Sequence, residues 1–378
     1  MRTKITLLSL CFGNSEYAVP LIRPVVRDRS LGTSENMSSQ FRATSPTDAE
    51  SISRLMRQVF DMAANHPGLT PEQMHWKYWQ DCPGWVGSRS FVMEREREIV
   101  AHGSVVPLTL ASPDSQLNLV YLIDWAARAD CPGAGIALLK RIGDMVDGVF
   151  VAGGSESTQK ILPALGFKDV GTATRFCLPL RLLARFPDTF RSSIGAARFA
   201  RNLVLATRRG KVLDPPEGWH VRRLHPHDLN KSSFPTPTAR TYLGLFLRSV
   251  PAIAYLLRCP VTPAEFYAVE CHGLPRGYFV LTIAGKQSRL AEAWIDSDEV
   301  MDWQALYALA VQRARLIGSV AELEAVASTP QERQALQQSG FPAYRTVKLR
   351  LWLRKGEAPP VVRYQMVDGD AAFQHDGN

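Results

Sequence analysis

Residues 117–141 read "LNLVYLIDWAARADCPGAGIALLKR": an apolar run broken by one carboxylate, then two glycines one residue apart, then a second apolar run. The first run, ending at Ala127, has the composition of a central strand. In the second, Leu138, Leu139 and Ile142, continued by Met145 and Val146, mark one face of a helix. Between them, Gly133, Ala134, Gly135 and Ile136 would present successive backbone N–H groups at a helix start. The helix dipole and the missing side chains would suit a bulky anion such as a pyrophosphate there. A glycine-permitted turn into a core helix would be spelt the same way, so the neighbouring sequence has to decide.

That sequence contains an internal repeat. "FRATSPTD" at 41–48 matches "VRRLHPHD" at 221–228, aligning Arg42 with Arg222, Pro46 with Pro226 and Asp48 with Asp228. "DCPGW" at 81–85 and "RCPVT" at 258–262 share Cys-Pro, and both halves reach Gly-Phe, at Phe167 and Phe341. Arg42 precedes the first Phe by 125 residues and Arg222 the second by 119. Three matches in one order at near-equal spacing point to two copies of one fold. In the first copy, Ser45-Pro46-Thr47-Asp48 carries helix-start residues, and Ile52, Leu55, Met56, Val59 and Phe60 follow at helical spacing. "SFVMERE" and "EIVAHGSVVPLTL" read as a hairpin, "GVFVAGG" as the next strand and 156–165 as a helix. The second copy repeats this with "EFYAVEC", "RGYFVLTIAG", "RLAEAWID", a helix at 302–316, "ELEAVAS" and a helix at 331–338.

Strand, G-x-G, helix, strand, helix, Gly-Phe is an order that resembles the GNAT superfamily of N-acyltransferases, well over 41–178 and weakly over 219–354. The resemblance implies an α/β fold of two tandem GNAT-like domains, each a mixed central sheet flanked by helices, with acyl-coenzyme A in a V between two splayed strands. The expected division is a disordered extension at 1–40, an acyl-CoA-binding domain at 41–178, a basic helical linker at 179–218, a degenerate second domain at 219–354 and a flexible tail at 355–378. The family's pyrophosphate loop falls on Asp130-x-x-Gly133-x-Gly135, with Asp130 where Gln or Arg is usual. Its Asn after the next strand falls on Ser155, and its tyrosine acid on Leu162.

The resemblance implies acetyl-CoA as acyl donor and an amine of a small-molecule or saccharide-type acceptor. Cofactor contacts would come from the loop N–H groups of Gly133, Ala134, Gly135 and Ile136 and from Ser155. Strand N–H groups near Trp125 would polarise the thioester carbonyl. Acylation needs a deprotonated amine, and Asp124 on the central strand is the candidate base; it could equally be a hydrogen-bonded structural acid. Strand alternation would put it opposite Ile123 and Trp125. His102, one strand away, could reach the same cleft or be a satisfied core imidazole. Ser157, Thr158 and Tyr121 are candidate proton donors in place of the missing tyrosine. "HWKYWQDCPGW" at 75–85 lies where the family builds its acceptor wall, and could also be an aromatic core cluster. The second copy has no G-x-G; Asp298, Glu299 and Asp302 stand there instead and would oppose a pyrophosphate. Aminoacyl or long-chain transfer, or coenzyme A binding without catalysis, are the alternatives.

Composition adds limits. Six scattered cysteines and eight histidines show no metal-ligand spacing, so no metal is expected and the thiols read as reduced, as in a cytoplasmic protein. No run reaches the apolar length of a membrane span. Most of the net charge of +8 lies in 179–211, where arginines interleave with leucine and phenylalanine around a single acid, Asp188. Such a segment could pack across two domains or make weak contact with an anionic membrane surface. No nucleic-acid-binding signature accompanies it.

Overall fold

The computed structural model describes residues 39–112, 115–190, 193–238 and 244–374. Residues 1–38, the bulk of the expected disordered extension, lie outside the described residues, and Gln40 already begins a strand. The strands are β1 (Gln40–Ala43), β2 (Ser90–Arg95), β3 (Glu98–Ser112), β4 (Ser115–Ala127), β5 (Gly148–Ala152), β6 (Lys168–Pro179), β7 (Trp219–Leu224), β8 (Gly244–Phe246), β9 (Ala264–Cys271), β10 (Leu274–Ala284), β11 (Gln287–Ile295), β12 (Glu322–Ala327), β13 (Ala343–Leu353) and β14 (Val362–Arg363). The helices are α1 (Ala49–Phe60), α2 (Pro71–Met74), α3 (Ala134–Gly143), α4 (Glu156–Ala164), α5 (Ser193–Arg208), α6 (Val250–Leu256), α7 (Val300–Leu316) and α8 (Pro330–Gln338). The elements read from the periodicity are present within a few residues of their expected ends.

One mixed sheet runs through the molecule in the order β1-β2-β3-β4-β5-β13-β6-β12-β11-β10-β9-β7, with β8 on β3 and β14 on β8. The order reads alike from both ends. Each half opens with an edge strand that pairs with the first strand of a hairpin, and the third meander strand then pairs in parallel with the strand after a helix: β4 with β5, β11 with β12. The repeated arginines hold equivalent places. Gln40 lies opposite Glu94 and His220 opposite Glu270; two residues on, Arg42 and Arg222 reach back to those glutamates at 2.7 and 3.2 Å.

The mixed sheets of the two halves are continuous with each other. β13 from the second half pairs with β5 of the first, and β6 from the first half pairs with β12 of the second. The two exchanged strands then pair with each other, so the sheet has no gap at the expected boundary. On one face α3 buries Leu138, Leu139 and Ile142 against Val120 and Leu122 of β4 and Val149 and Val151 of β5. Each such side chain contributes about 2 kcal/mol of burial. On the opposite face α1 packs Ile52, Leu55 and Met56 with Ala126 of β4.

The expected flexible tail instead packs into the core over 362–373. Tyr364, Met366, Val367, Ala372 and Phe373 are buried. Thr282 and Thr262 donate to the carbonyls of Ala372 and Phe373 at 2.8 and 3.0 Å. Its apolar residues recur too densely for a solvated end.

Since β5 and β12 each complete their hydrogen bonding with a strand from the other half, the chain should melt in one transition by calorimetry. A fragment ending at Pro179 should aggregate or remain unfolded by size exclusion and circular dichroism, because β6 would lose both of its partners, β12 and β13, and β5 would lose β13. Two separate transitions would show that the halves fold independently.

Candidate functional site

β4 and β5 are paired only over Leu119–Tyr121 and Gly148–Phe150. Beyond Tyr121 the two strands part, and β4 continues to Ala127 against β3 alone. Tyr121 spans the fork by donating its hydroxyl to the Ala152 carbonyl at 3.2 Å. The divergence coincides with a β-bulge: Ile123 lies opposite Ser104 and Ala126 opposite His102, so Asp124 and Trp125 together face Gly103. Asp124 has φ 51, in the left-handed region. That conformation costs about 1–2 kcal/mol for an L-residue, and side chains around it hold it in place.

The His102 ring holds the backbone. Its Nδ1 lies 3.1 Å from the Asp124 carbonyl and its Nε2 2.9 Å from Ser90 Oγ. These partners fit a neutral ring that donates from Nδ1 and accepts the serine hydroxyl at Nε2. The carboxylate is held by three donors: Lys77 Nζ at 2.7 Å, the Tyr78 hydroxyl at 2.7 Å and Ser104 Oγ at 3.3 Å. Lys77 also reaches Asp370 at 2.8 Å. Burial alone would push the Asp124 carboxyl up and the Lys77 ammonium down. Their mutual attraction outweighs burial, with Asp370 adding to it at Lys77, so Asp124 sits below the usual carboxylate range and Lys77 well above the usual amine. Burial and the same carboxylate push the Tyr78 phenol well up, so it stays a donor. Strand alternation does not place Asp124 opposite Ile123, because the bulge interrupts it: Lys77, which grips Asp124, lines a small cavity together with Ile123, Tyr255 and Asp370.

At the end of the split, Gly133 (φ 85) caps α3. The N–H groups of Gly135 and Ile136 in the first turn have no intrahelical acceptor. A Cβ on Gly135 would lie 3.2 Å from Ala127 Cβ and 3.3 Å from Trp125 Nε1, whose N–H donates to the Gly135 carbonyl at 2.9 Å. Trp125 therefore ties the glycine turn back to the bulge. Asp130 is gripped by Arg128 through two bonds of 2.9 and 2.6 Å, which answers its charge next to the turn. On the other lip, Ser155 caps α4 by accepting from the Thr158 N–H at 3.2 Å.

The structure thus gathers Asp124, Trp125 and the 133–136 turn along one strand, with Ser155 across the split. His102 is a correction: it is fully buried with both nitrogens engaged, so it supports the bulge and does not face the cleft. Leu162 is fully buried in the core. In the aromatic stretch Trp76 and Tyr78 are buried, and His75–Trp79 winds as one wide π turn that turns Lys77 towards Asp124. Lys77 and Asp370 were missed. A lysine inside an aromatic run and an apolar-rich tail were the available signals.

The second half forms the same fork, with β11 and β12 paired only over Gln287–Arg289 and Glu322–Glu324. Here the chain's own tail occupies it. Gln365 Oε1 accepts from the Ala293 N–H at 3.3 Å, Arg363 donates to the Ala293 carbonyl, and Arg363 pairs with Glu332 of α8 at 2.7 Å. Among the described residues no helix is long and apolar enough to cross a membrane, and no group of three or more His, Cys, Asp or Glu is placed to hold a metal ion.

Burial lowers the His102 pKa from 6.5 to about 4. Above the unfolded value both states are neutral; as pH falls below it, the unfolded imidazole takes a proton that the folded one refuses. Up to about 3 kcal/mol of stability should be lost across that window. The fall in melting temperature between neutral pH and about pH 5 should therefore be smaller in His102→Asn than in the parent. An equal fall would remove His102 from the pH response.

No protein-family model matches the chain, and no curated protein sequence matches it. Solved structures match its fold. A GCN5-related N-acetyltransferase from Anabaena variabilis superposes with a TM-score of 0.54 at 11% identity, over 84% of this chain and 73% of that one. Another from Kribbella flavida gives 0.50 at 14%, over 84% and 71%. N-myristoyltransferase from Saccharomyces cerevisiae, solved with bound myristoyl-CoA and inhibitors, gives 0.55 at 15%, over 93% and 87%. The chain is thus a mixed α/β protein with the fold of the GCN5-related N-acetyltransferases and of N-myristoyltransferase.

Proposed function

We propose that the protein is an acyl-CoA-dependent N-acyltransferase of tandem architecture that moves a short acyl group, most simply acetyl, to an amine of a small-molecule or saccharide-type acceptor. The observation that carries this reading is the fork between β4 and β5, which opens onto the glycine turn of α3. A thioester laid along β4 beside Trp125 would place its pyrophosphate at the N–H groups of Gly135 and Ile136, with Ser155 on the opposite lip. Arg128 removes the objection that Asp130 would repel it.

Lys77, Asp124 and Asp370 together carry one net negative charge beside the bulge, which favours a cationic acceptor. The ammonium first gives up one proton to solvent water; the neutral amine nitrogen then attacks the thioester carbonyl carbon, forming the C–N bond and acquiring positive charge. Asp124, ionised throughout the neutral range, steadies that charge and receives the nitrogen's proton. The C–S bond then breaks and the coenzyme A thiolate leaves, to be protonated by water. The floor below the fork is closed by Tyr121, Phe150 and Tyr364, with Tyr121 and Tyr364 stacked at 6.3 Å. This supports a short acyl group over a long one.

Calorimetric titration with acetyl-CoA should find one site per chain, because the second fork holds the tail. Ala134→Glu should weaken binding by about tenfold or more, since a carboxylate there opposes the pyrophosphate. The melting temperature should hold or rise, since a helix start favours that charge. Position 134 is a cleaner probe than Gly135, where any side chain would press on Trp125 and Ala127. Unchanged affinity would place the donor elsewhere.

Asp124→Asn should slow transfer by about a hundredfold with donor affinity nearly intact; Lys77 keeps Asp370 as its partner. Transfer at the parent rate would remove Asp124 from the chemistry. Turnover of myristoyl-CoA in preference to acetyl-CoA would overturn the short-chain reading, and binding without turnover of any acyl donor would overturn catalysis.

A further inference from the structure

The segment between the halves carries surface that acyl transfer does not use. Its inner side is anchored firmly. Arg185 pairs with the buried Glu322 at 2.8 Å, Arg181 donates to the carbonyls of Ile317 and Val320 at 2.9 and 2.7 Å, and Asn202 is buried against Glu322. Its outer side is apolar. Leu183 is 80% exposed and Phe190 79%. Phe186 is half-exposed and meets Phe190 and Phe199 edge-on at 5.3 and 5.6 Å. On α5, Ala197, Ala200, Leu203 and Val204 face outward at helical spacing, opposite the buried Asn202 and Leu205. A helix that is apolar on both faces is not finished by water.

Two further observations say what finishes it. Beside Val204 runs an open groove of about 460 Å³ between α5 and β13, bordered by Arg201, Arg208, Tyr344 and Arg345. Arg208 and Arg345 are exposed, and Arg209 and Lys211 follow at the end of the helix. The one acid of the segment, Asp188, is answered by Lys286 at 2.7 Å. The surface therefore combines protruding leucine and phenylalanine side chains with unopposed cations. Projecting knobs of this kind would need matching sockets in a protein partner, whereas a fluid bilayer receives them without any.

We infer that the outward side chains of 183–190 and 195–208, with the Arg208–Arg345 groove, dock the protein on an anionic phospholipid bilayer. Leu183 and Phe190 enter the headgroup–acyl boundary, and the groove takes a lipid phosphate. The rigid anchoring to Glu322 lets the knobs bind without first being ordered.

The test is sedimentation of the full chain with phosphatidylcholine vesicles containing or lacking phosphatidylserine. The parent should bind the phosphatidylserine vesicles, less so at high salt, and bind pure phosphatidylcholine weakly. The pair Arg208→Glu and Arg345→Glu should weaken binding at least tenfold, as expected for reversing two cations at a charged surface. The pair Leu183→Ser and Phe190→Ser should abolish it while the melting temperature stays unchanged, since both side chains are exposed. No binding to phosphatidylserine vesicles would overturn the proposal. Binding that ignores both pairs would also overturn it, by placing the contact elsewhere in the chain. A dimer that dissolves in the Leu183→Ser, Phe190→Ser variant, without vesicle binding by the parent, would overturn it in favour of a second copy on this face.

Discussion

Lys77 is an ammonium almost out of solvent, gripped by Asp124 from the central strand and by Asp370 from the end of the chain. Much of the site depends on this one three-way contact. It holds a carboxylate in a left-handed bulge that the backbone would not adopt unaided, and the bulge sits where β4 leaves β5. It also ties the C-terminal segment to the first half. Removing Lys77 would leave both carboxylates buried without their cation, and breaking a buried pair in that way typically costs about 3–5 kcal/mol. The same contact thus contributes to fold stability, to the shape of the fork and to the charge beside it.

The two halves repeat one plan and then diverge in use. Both keep the edge arginine and its glutamate in the same register, and both fork after three paired residues. The aromatic segments of the two halves even exchange hydrogen bonds, Trp76 Nε1 to the Tyr255 carbonyl and the Tyr255 hydroxyl to the Trp76 carbonyl. The difference lies in what fills each fork. In the second, Arg363 and Gln365 satisfy both backbone groups of Ala293. In the first, the glycine turn remains at the mouth. The tail closes one fork and brings Asp370 to the other, so the arrangement needs both halves.

The linker follows the same logic of opposite faces. Its arginines were conspicuous as a charge excess, yet Arg181 and Arg185 point inward and serve as structural fasteners. The outward face is left to apolar side chains and to the few cations at the end of α5.

Local chemistry in the sequence was enough to locate nearly every strand and helix, because alternation and helical spacing are set by neighbours within a few residues. It was enough to find the repeat and the glycine turn, and to single out Asp124 as the carboxylate of the central strand. It could not tell that β6 and β13 trade places, since either strand satisfies either edge and only the assembled sheet selects between them. Nor could it show that His102 faces the Asp124 carbonyl, that Lys77 bridges to Asp370, or that 361–373 lies in the core. Each of these joins residues tens to hundreds of positions apart. Whether a lysine is solvated or buried between two carboxylates is decided by the geometry that brings them together, and that geometry exists only in the folded chain.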